Sequence, residues 1–210
     1  MANDDQIRAR GGLLPVQYPF GNFKKEYYRL TTGVAAANIF IGMPVDLDAN
    51  GRAAAFDVTA SNNLLLGSVV GFADTNLEAL PSAMETTTAG AYLPGNTDAF
   101  VLVADDPNQE FIIQEDTGGT ALALVDVGLN ANLVYRSSSG DTTTGYTTAE
   151  LDASSAGTGT GGILIIKQIA RNMNSDGTQN AVGDYAKWVV KIARHRLSIA
   201  AAPSQGGNAI

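Results

Sequence analysis

The chain of 210 residues is 45% apolar and only 16% charged, enough for one good-sized core or two small ones and too apolar for wholesale disorder. It has no cysteine and a single histidine, His195, which excludes disulfide frameworks, zinc–thiolate sites, thiol nucleophiles and multi-histidine metal centres. The net charge of −8 is unevenly placed: between residues 53 and 166 the only base is Arg136 and the local charge is −13, whereas the rest of the chain sums to +5.

Residues 1–33 are expected to form an extended N-terminal arm and a first strand, 34–199 a β-rich body, and 200–210 a tail. A split of the body into two small β subdomains would fall near 75–98. Within the arm, Gly11, Gly12, Pro15, Pro19 and Gly21 forbid a continuous helix or a long strand. Leu13, Leu14, Val16 and Phe20 lie between these breakers. Spaced apolar anchors on an extended segment suit docking on another surface or wrapping over the chain's own core. Phe23 to Thr32 is rich in aromatic and β-forming residues and predicts the first strand.

Asn50-Gly51 predicts a two-residue hairpin turn, because this pair tolerates positive φ at both central positions. Such a turn pairs 45 with 56 and 47 with 54, placing Val45, Leu47, Ala54 and Phe56 on one face and Asp46, Asp48 and Asp57 on the other. Further strands are predicted at Leu64–Phe72, Ala99–Ala104, Glu110–Gln114, Gly162–Ala170 and Lys187–His195. The runs Phe100–Val103 and Ile163–Ile166 read as strands buried on both faces. Leu122–Val134 is ambiguous between strand and helix, and Pro81 cuts a possible helix starting at Asn76. Ser137–Thr148 and Ala153–Gly162, almost entirely Ser, Thr, Gly and Ala, read as surface loops that bury little apolar area. The fold class expected is all-β, with a barrel- or sandwich-type core.

Candidate chemistry is thin. Residues 46–57 match a calcium-loop spacing, with Asp57 where glutamate is expected, but the flanks are strand-like and a hairpin explains the same residues more simply. Asn172–Gly177 reads as a glycine-containing turn. His195 lies among Lys191, Arg194 and Arg196, with no nucleophile or orienting carboxylate nearby in sequence, and is expected at a surface or interface. No nucleophile elbow, phosphate loop or dinucleotide fingerprint occurs. No catalytic residue, metal or cofactor is assigned. Nucleic acid is disfavoured as a partner, since the chain as a whole repels phosphates and carries no reader motif. No apolar run approaches the roughly 18 residues of a membrane span. Asp4 and Asp5 with no apolar segment behind them argue against a secretory signal, so synthesis in a host cytoplasm is expected.

The segment Gly42-Met43-Pro44-Val45-Asp46-Leu47-Asp48-Ala49-Asn50-Gly51 resembles the start of head decoration, or cement, proteins of tailed bacteriophages. Val103–Pro107, Phe111–Asp116 and Ala186–Ile192 are similar to blocks in phage structural proteins, and the likeness spans roughly 38–197. The resemblance implies a non-enzymatic, β-rich virion protein, often trimeric, that binds the capsid exterior at local three-fold positions with the major capsid protein as its partner. With the charge sorting, it makes the basic arm the expected capsid-facing element, through Arg8, Arg10, Leu13, Leu14, Phe20, Lys24, Lys25 and Arg29. Other virion roles (head fibre, tail or shell subunit), a carbohydrate-active β enzyme and a calcium-dependent module are the alternatives.

Overall fold

The computed structural model describes residues 3, 11–16, 23–30, 37–59, 64–80, 92–158, 161–174 and 177–198. They form eleven strands: β1 (Leu14–Pro15), β2 (Glu26–Arg29), β3 (Pro44–Leu47), β4 (Ala53–Ala55), β5 (Gly67–Ala73), β6 (Phe100–Ala104), β7 (Glu110–Gln114), β8 (Asn130–Gly140), β9 (Thr147–Gly157), β10 (Leu164–Ile169) and β11 (Lys187–Ile192). The one helical turn among the described residues is a 3-10 turn at Leu124–Asp126. The fold is therefore all-β, as the composition and alternation require.

The strands make two antiparallel sheets, β1-β7-β11-β10-β8-β9 and β2-β6-β5-β3-β4. Both curl. In the six-stranded sheet β9 returns to the end of β7, where Glu115 and Leu151 form an isolated bridge; in the five-stranded sheet Leu30, just beyond β2, bridges to Ala53 of β4. Neither sheet closes into a complete barrel. Each encloses its own apolar core. The larger holds Leu13, Phe111, Ile113, Leu133, Leu151, Leu164, Ile166, Trp188 and Val190; the smaller holds Phe40, Met43, Val45, Leu66, Val69, Phe72, Val101 and Val103. The chain crosses from the smaller sheet to the larger at 105–109, between β6 and β7, downstream of the expected 75–98 boundary.

Two straps bind the sheets together. At one end, Gly11–Val16 lies along the larger sheet as β1, yet Leu13 N–H donates to Gly42 O (2.9 Å) and Ser68 Oγ donates to Leu13 O (2.5 Å), both in the smaller sheet's segments. At the other, the chain leaving β11 pairs Arg194, His195 and Arg196 with Leu65, and the Arg196 guanidinium grips the Asp46 carboxylate on β3. Asn3 is also docked, its side chain donating to the carbonyls of Ala181 (2.7 Å) and Asp184 (3.1 Å). Of the two readings of the N-terminal segment, its described residues take the second: they wrap the chain's own body.

The apolar runs fall where expected, and the β7 range is as read from the sequence. The β3–β4 hairpin is displaced by one. Val45 pairs with Ala55 and Leu47 with Ala53, around a three-residue loop in which Gly51 takes the positive φ (72°). The cause is Asp48, whose Oδ1 accepts the N–H groups of Asn50 (2.8 Å) and Arg52 (2.9 Å) and so fixes a type I turn followed by a bulge rather than a two-residue turn. Phe56 consequently enters the larger core while Val45 stays in the smaller one.

The same turn recurs at Asp74–Glu78 and in the described part of Asn174–Thr178, with the fourth residue left-handed each time. Gly177 suits that position; Leu77, at φ 64°, does not. Leu77 is half exposed and loses little contact on removal. Leu77→Gly is expected to stabilise the protein by about 0.5–1 kcal/mol, the relief of a left-handed side chain less the added freedom of the unfolded glycine, read as a higher urea midpoint.

The largest departure from expectation is the β8–β9 hairpin. The low-complexity stretches expected as loops contribute to the two longest strands, 11 residues each. Small residues let the backbones approach: Ala149 and Ala153 face a core, and a Cβ on Gly140 would enter the Phe40 ring. Where the ladder slips between Tyr135 and Gly140, the Thr147 hydroxyl donates to Ser139 O (2.6 Å) and that of Thr148 to Ser138 O. Side-chain hydroxyls thus replace ladder bonds, and Ser/Thr composition supports a strand here.

Candidate functional site

The expected contact residues separate into three groups. Arg8, Arg10 and Phe20 lie outside the described residues, as does the tail from 199. Leu13 is fully buried in the larger core and Leu14 is half-buried in β1, paired with Ile112, so Leu13 offers nothing to a partner surface. Lys24, Lys25 and Arg29 are exposed, along or just ahead of β2, which forms one edge of the smaller sheet.

Strand alternation divides this edge into two faces. Tyr28 points inward, its hydroxyl donating to Asp105 Oδ2 (2.7 Å), with Lys24 3.8 Å from the same carboxylate. Burial, followed by that bond to an anion, pushes the Tyr28 phenol well above its usual range. Tyr27 and Arg29 point outward, with Lys25 at the same parity just ahead of them. Lys25 lies over the Phe23 ring (5.8 Å), Tyr27 keeps 43% of its surface exposed, and Arg29 forms a two-pronged pair with Asp98 (3.0 and 2.8 Å). Such an exposed pair adds little to stability. The outward row Lys25–Tyr27–Arg29 thus presents a lysine, a half-exposed tyrosine and an ion-paired arginine.

The carboxylates of the calcium-like spacing do not converge. Asp46 pairs with Arg196, Asp48 caps its own turn, and Asp57 accepts from the Thr59 N–H and hydroxyl (2.8 and 2.7 Å). Among the described residues no group of three or more His, Asp and Glu side chains is placed to hold a metal ion.

His195 is a correction. It is fully buried, not at a surface, because the strap it belongs to lies between the sheets. Its Nδ1 accepts the Leu197 N–H (3.0 Å), which puts the ring proton on Nε2, and burial pulls its pKa below the usual histidine value despite the opposing pull of Asp105 and Asp106. No orienting carboxylate bonds it and no nucleophile is in hydrogen-bond contact with it among the described residues, so it lacks the relations of a catalytic base.

The most perturbed acids were invisible in the sequence. Glu115, at the end of β7, is fully buried; its Oε2 accepts from Trp188 Nε1 (2.9 Å) and Leu122 N–H (3.2 Å), while Oε1 has no partner among the described residues. Burial raises its pKa from 4.5 to about 7. Glu150 on β9 is also buried and pushed upward by desolvation, but Arg136 (2.6 Å) and Gln114 (3.2 Å) bond it and oppose the shift. Arg136 in turn lies 5.4 Å from the Tyr185 ring centre, and Tyr185 adopts φ 61°. The two acids lie on opposite faces of the sheet: Leu151 of β9 bridges Glu115 on the core side, and the neighbouring Glu150 is buried on the other face beneath Arg136. They do not form a paired carboxylate site. A cleft of about 550 Å³ borders the β8–β9 hairpin, lined by Arg136, Ser137–Ser139, Asp141 and Asn38.

No protein-family description, no curated protein and no solved structure matches this chain.

Proposed function

We propose that the chain is a non-enzymatic virion structural protein that binds the outer surface of a tailed-phage head and stabilises it, as a homotrimer docked on the major capsid protein. The observation that carries this reading is the exposed outward row Lys25–Tyr27–Arg29 on a sheet edge of a body that is otherwise acidic. Aromatic and arginine side chains together are what protein interfaces favour, and the acidic remainder suits the solvent-facing side of a particle. The likeness of residues 42–51 to decoration proteins points the same way.

The physics of the task fits a rigid plug. A head under internal pressure gains from clamps across subunit joins. A trimer engages three such contacts at once, so weak individual contacts combine into high avidity, and cyclic closure leaves no unused contact surface. Of the expected capsid-facing element, the β2 edge is the part that lies among the described residues and is exposed.

The test is co-sedimentation of the purified protein with cognate heads stripped of their decoration. Wild-type protein is expected to pellet with the heads. Lys25→Glu with Arg29→Glu is expected to weaken binding by at least roughly tenfold, since reversed charges act on encounter and register alike, while leaving the urea midpoint nearly unchanged. Undiminished binding by the double variant would move the contact elsewhere, and no binding by the wild type would refute the function.

A further inference from the structure

We infer that Glu115 is a proton-operated latch that holds the segment 116–129 against the larger barrel-like core. Oε2 ties together two elements far apart in sequence, Trp188 on β11 and Leu122 in the segment after β7. Leu122 is itself buried in that core. The next residues form an apolar tip: Leu124, Val125 and Val127 are 64%, 82% and 41% exposed, kept in shape by Ala123 N–H donating to Asp126 Oδ2 (2.8 Å) and by Gly128 at φ 93°. The ends of the segment are fastened separately, Asp116 N–H to Leu151 O (2.9 Å) at one side and Gly128 N–H to Ile166 O (2.8 Å) at the other, so the seating of Leu122 sets how firmly the stretch between them is held.

The surroundings of the carboxyl favour its neutral form. It has no exposed surface and Oε1 has no partner among the described residues. The charges nearest in effect are both negative, Asp116 beside it and Asp184 ahead of β11. The cations and acids of the packed strands are engaged elsewhere: Lys187 bonds Asn174, Arg136 pairs with Glu150, and Asp152 accepts from Ser154. A neutral Glu115 accepts both N–H groups at little cost. An ionised one keeps them but loses its hydration, and it recovers water only if the 116–129 segment opens.

Hydrogen exchange read segment by segment, together with the fluorescence of the one tryptophan, tests this. In the wild type, protection of 117–129 is expected to fall roughly tenfold per pH unit between pH 5 and 7, after correction for intrinsic exchange, and to level off above. Strands β10 and β11 should keep their protection, and Trp188 emission should shift over the same range. Glu115→Gln is expected to abolish the fall. Asp184→Asn, which leaves the latch in place and removes a repelling charge, is expected to make the protection level off at lower pH. Protection of 117–129 that does not change with pH, a fall that persists in Glu115→Gln, or an equal fall in β10 and β11 would each overturn the latch.

Discussion

Gly12→Ala is expected to destabilise the protein by about 3 kcal/mol or more, among the largest effects of any single methyl group in the chain. Gly12 adopts φ 91°, and a Cβ there would overlap the Gly42 carbonyl and the Thr147 methyl. Neither obstacle can retreat cheaply. Gly42 is itself left-handed and donates to Val69 O, and the Thr147 hydroxyl closes the β8–β9 hairpin. The strain falls on a strap, where Leu13 reaches the larger core while bonding the smaller sheet, so the alanine should also loosen the sheets from one another. Chemical denaturation followed at Trp188, in the larger core, and by far-ultraviolet dichroism checks both parts. A single transition moved to lower denaturant is expected, with limited proteolysis between the sheets faster than in the wild type. An unchanged midpoint would mean that the strap does not hold the sheets.

Stability should also fall as pH rises from 5 to 8, by about 3 kcal/mol at most, and Glu115→Gln should remove most of that fall. The sign follows from burial. Glu115 has a pKa of about 7 in the folded chain against 4.5 when exposed. Its contribution is complete below the unfolded value and is lost as pH climbs through the folded one. Glu150, raised in the same direction, adds to the slope. His195 works oppositely: its pKa is lowered in the fold, so its contribution is complete above the usual histidine value and lost as pH drops through the folded one. The two residues together predict a stability maximum on the acid side of neutrality. Urea midpoints of the wild type and Glu115→Gln at pH 5 and pH 8 check this, with the variant the more stable of the two at pH 8. A Glu115→Gln variant whose stability changes between pH 5 and pH 8 as much as that of the wild type would contradict the burial of an ionisable Glu115.

Much of the fold could be read from the chain because strand cores announce themselves locally. Phe100–Val103, Ile163–Ile166 and Glu110–Gln114 carry continuous or alternating apolar residues, and each became a strand. Signals that depend on a partner could not be read. Ser137–Gly140 looks like a loop until Thr147 and Thr148 supply the hydroxyls that bond it and Phe40 occupies the space a side chain would need. Asn50-Gly51 specifies a turn, but the register was set by Asp48, whose side chain competes for the same backbone donors. The charged pattern around His195 suggested a surface, because nothing nearby in sequence reveals that Leu65 and Asp46 arrive from the other sheet to cover that segment. Glu115 follows the apolar run of β7, a hint that its carboxyl starts from a buried strand, yet Trp188, its main partner, is 73 residues away. Of the expected contact residues, Lys24, Lys25 and Arg29 keep an exposed position because β2 is an edge strand, whereas the apolar Leu13 was drawn inward by the same hydrophobic effect that made it look like an anchor.

The most direct measurement of the proposed role is hydrogen exchange on the protein free and saturated on cognate heads. The proposal predicts new protection concentrated in 23–30, with little change in the Ser137–Asp141 hairpin and at the 124–127 tip. Binding that leaves 23–30 as exposed as in the free protein, or protection confined to the far side of the body, would contradict it.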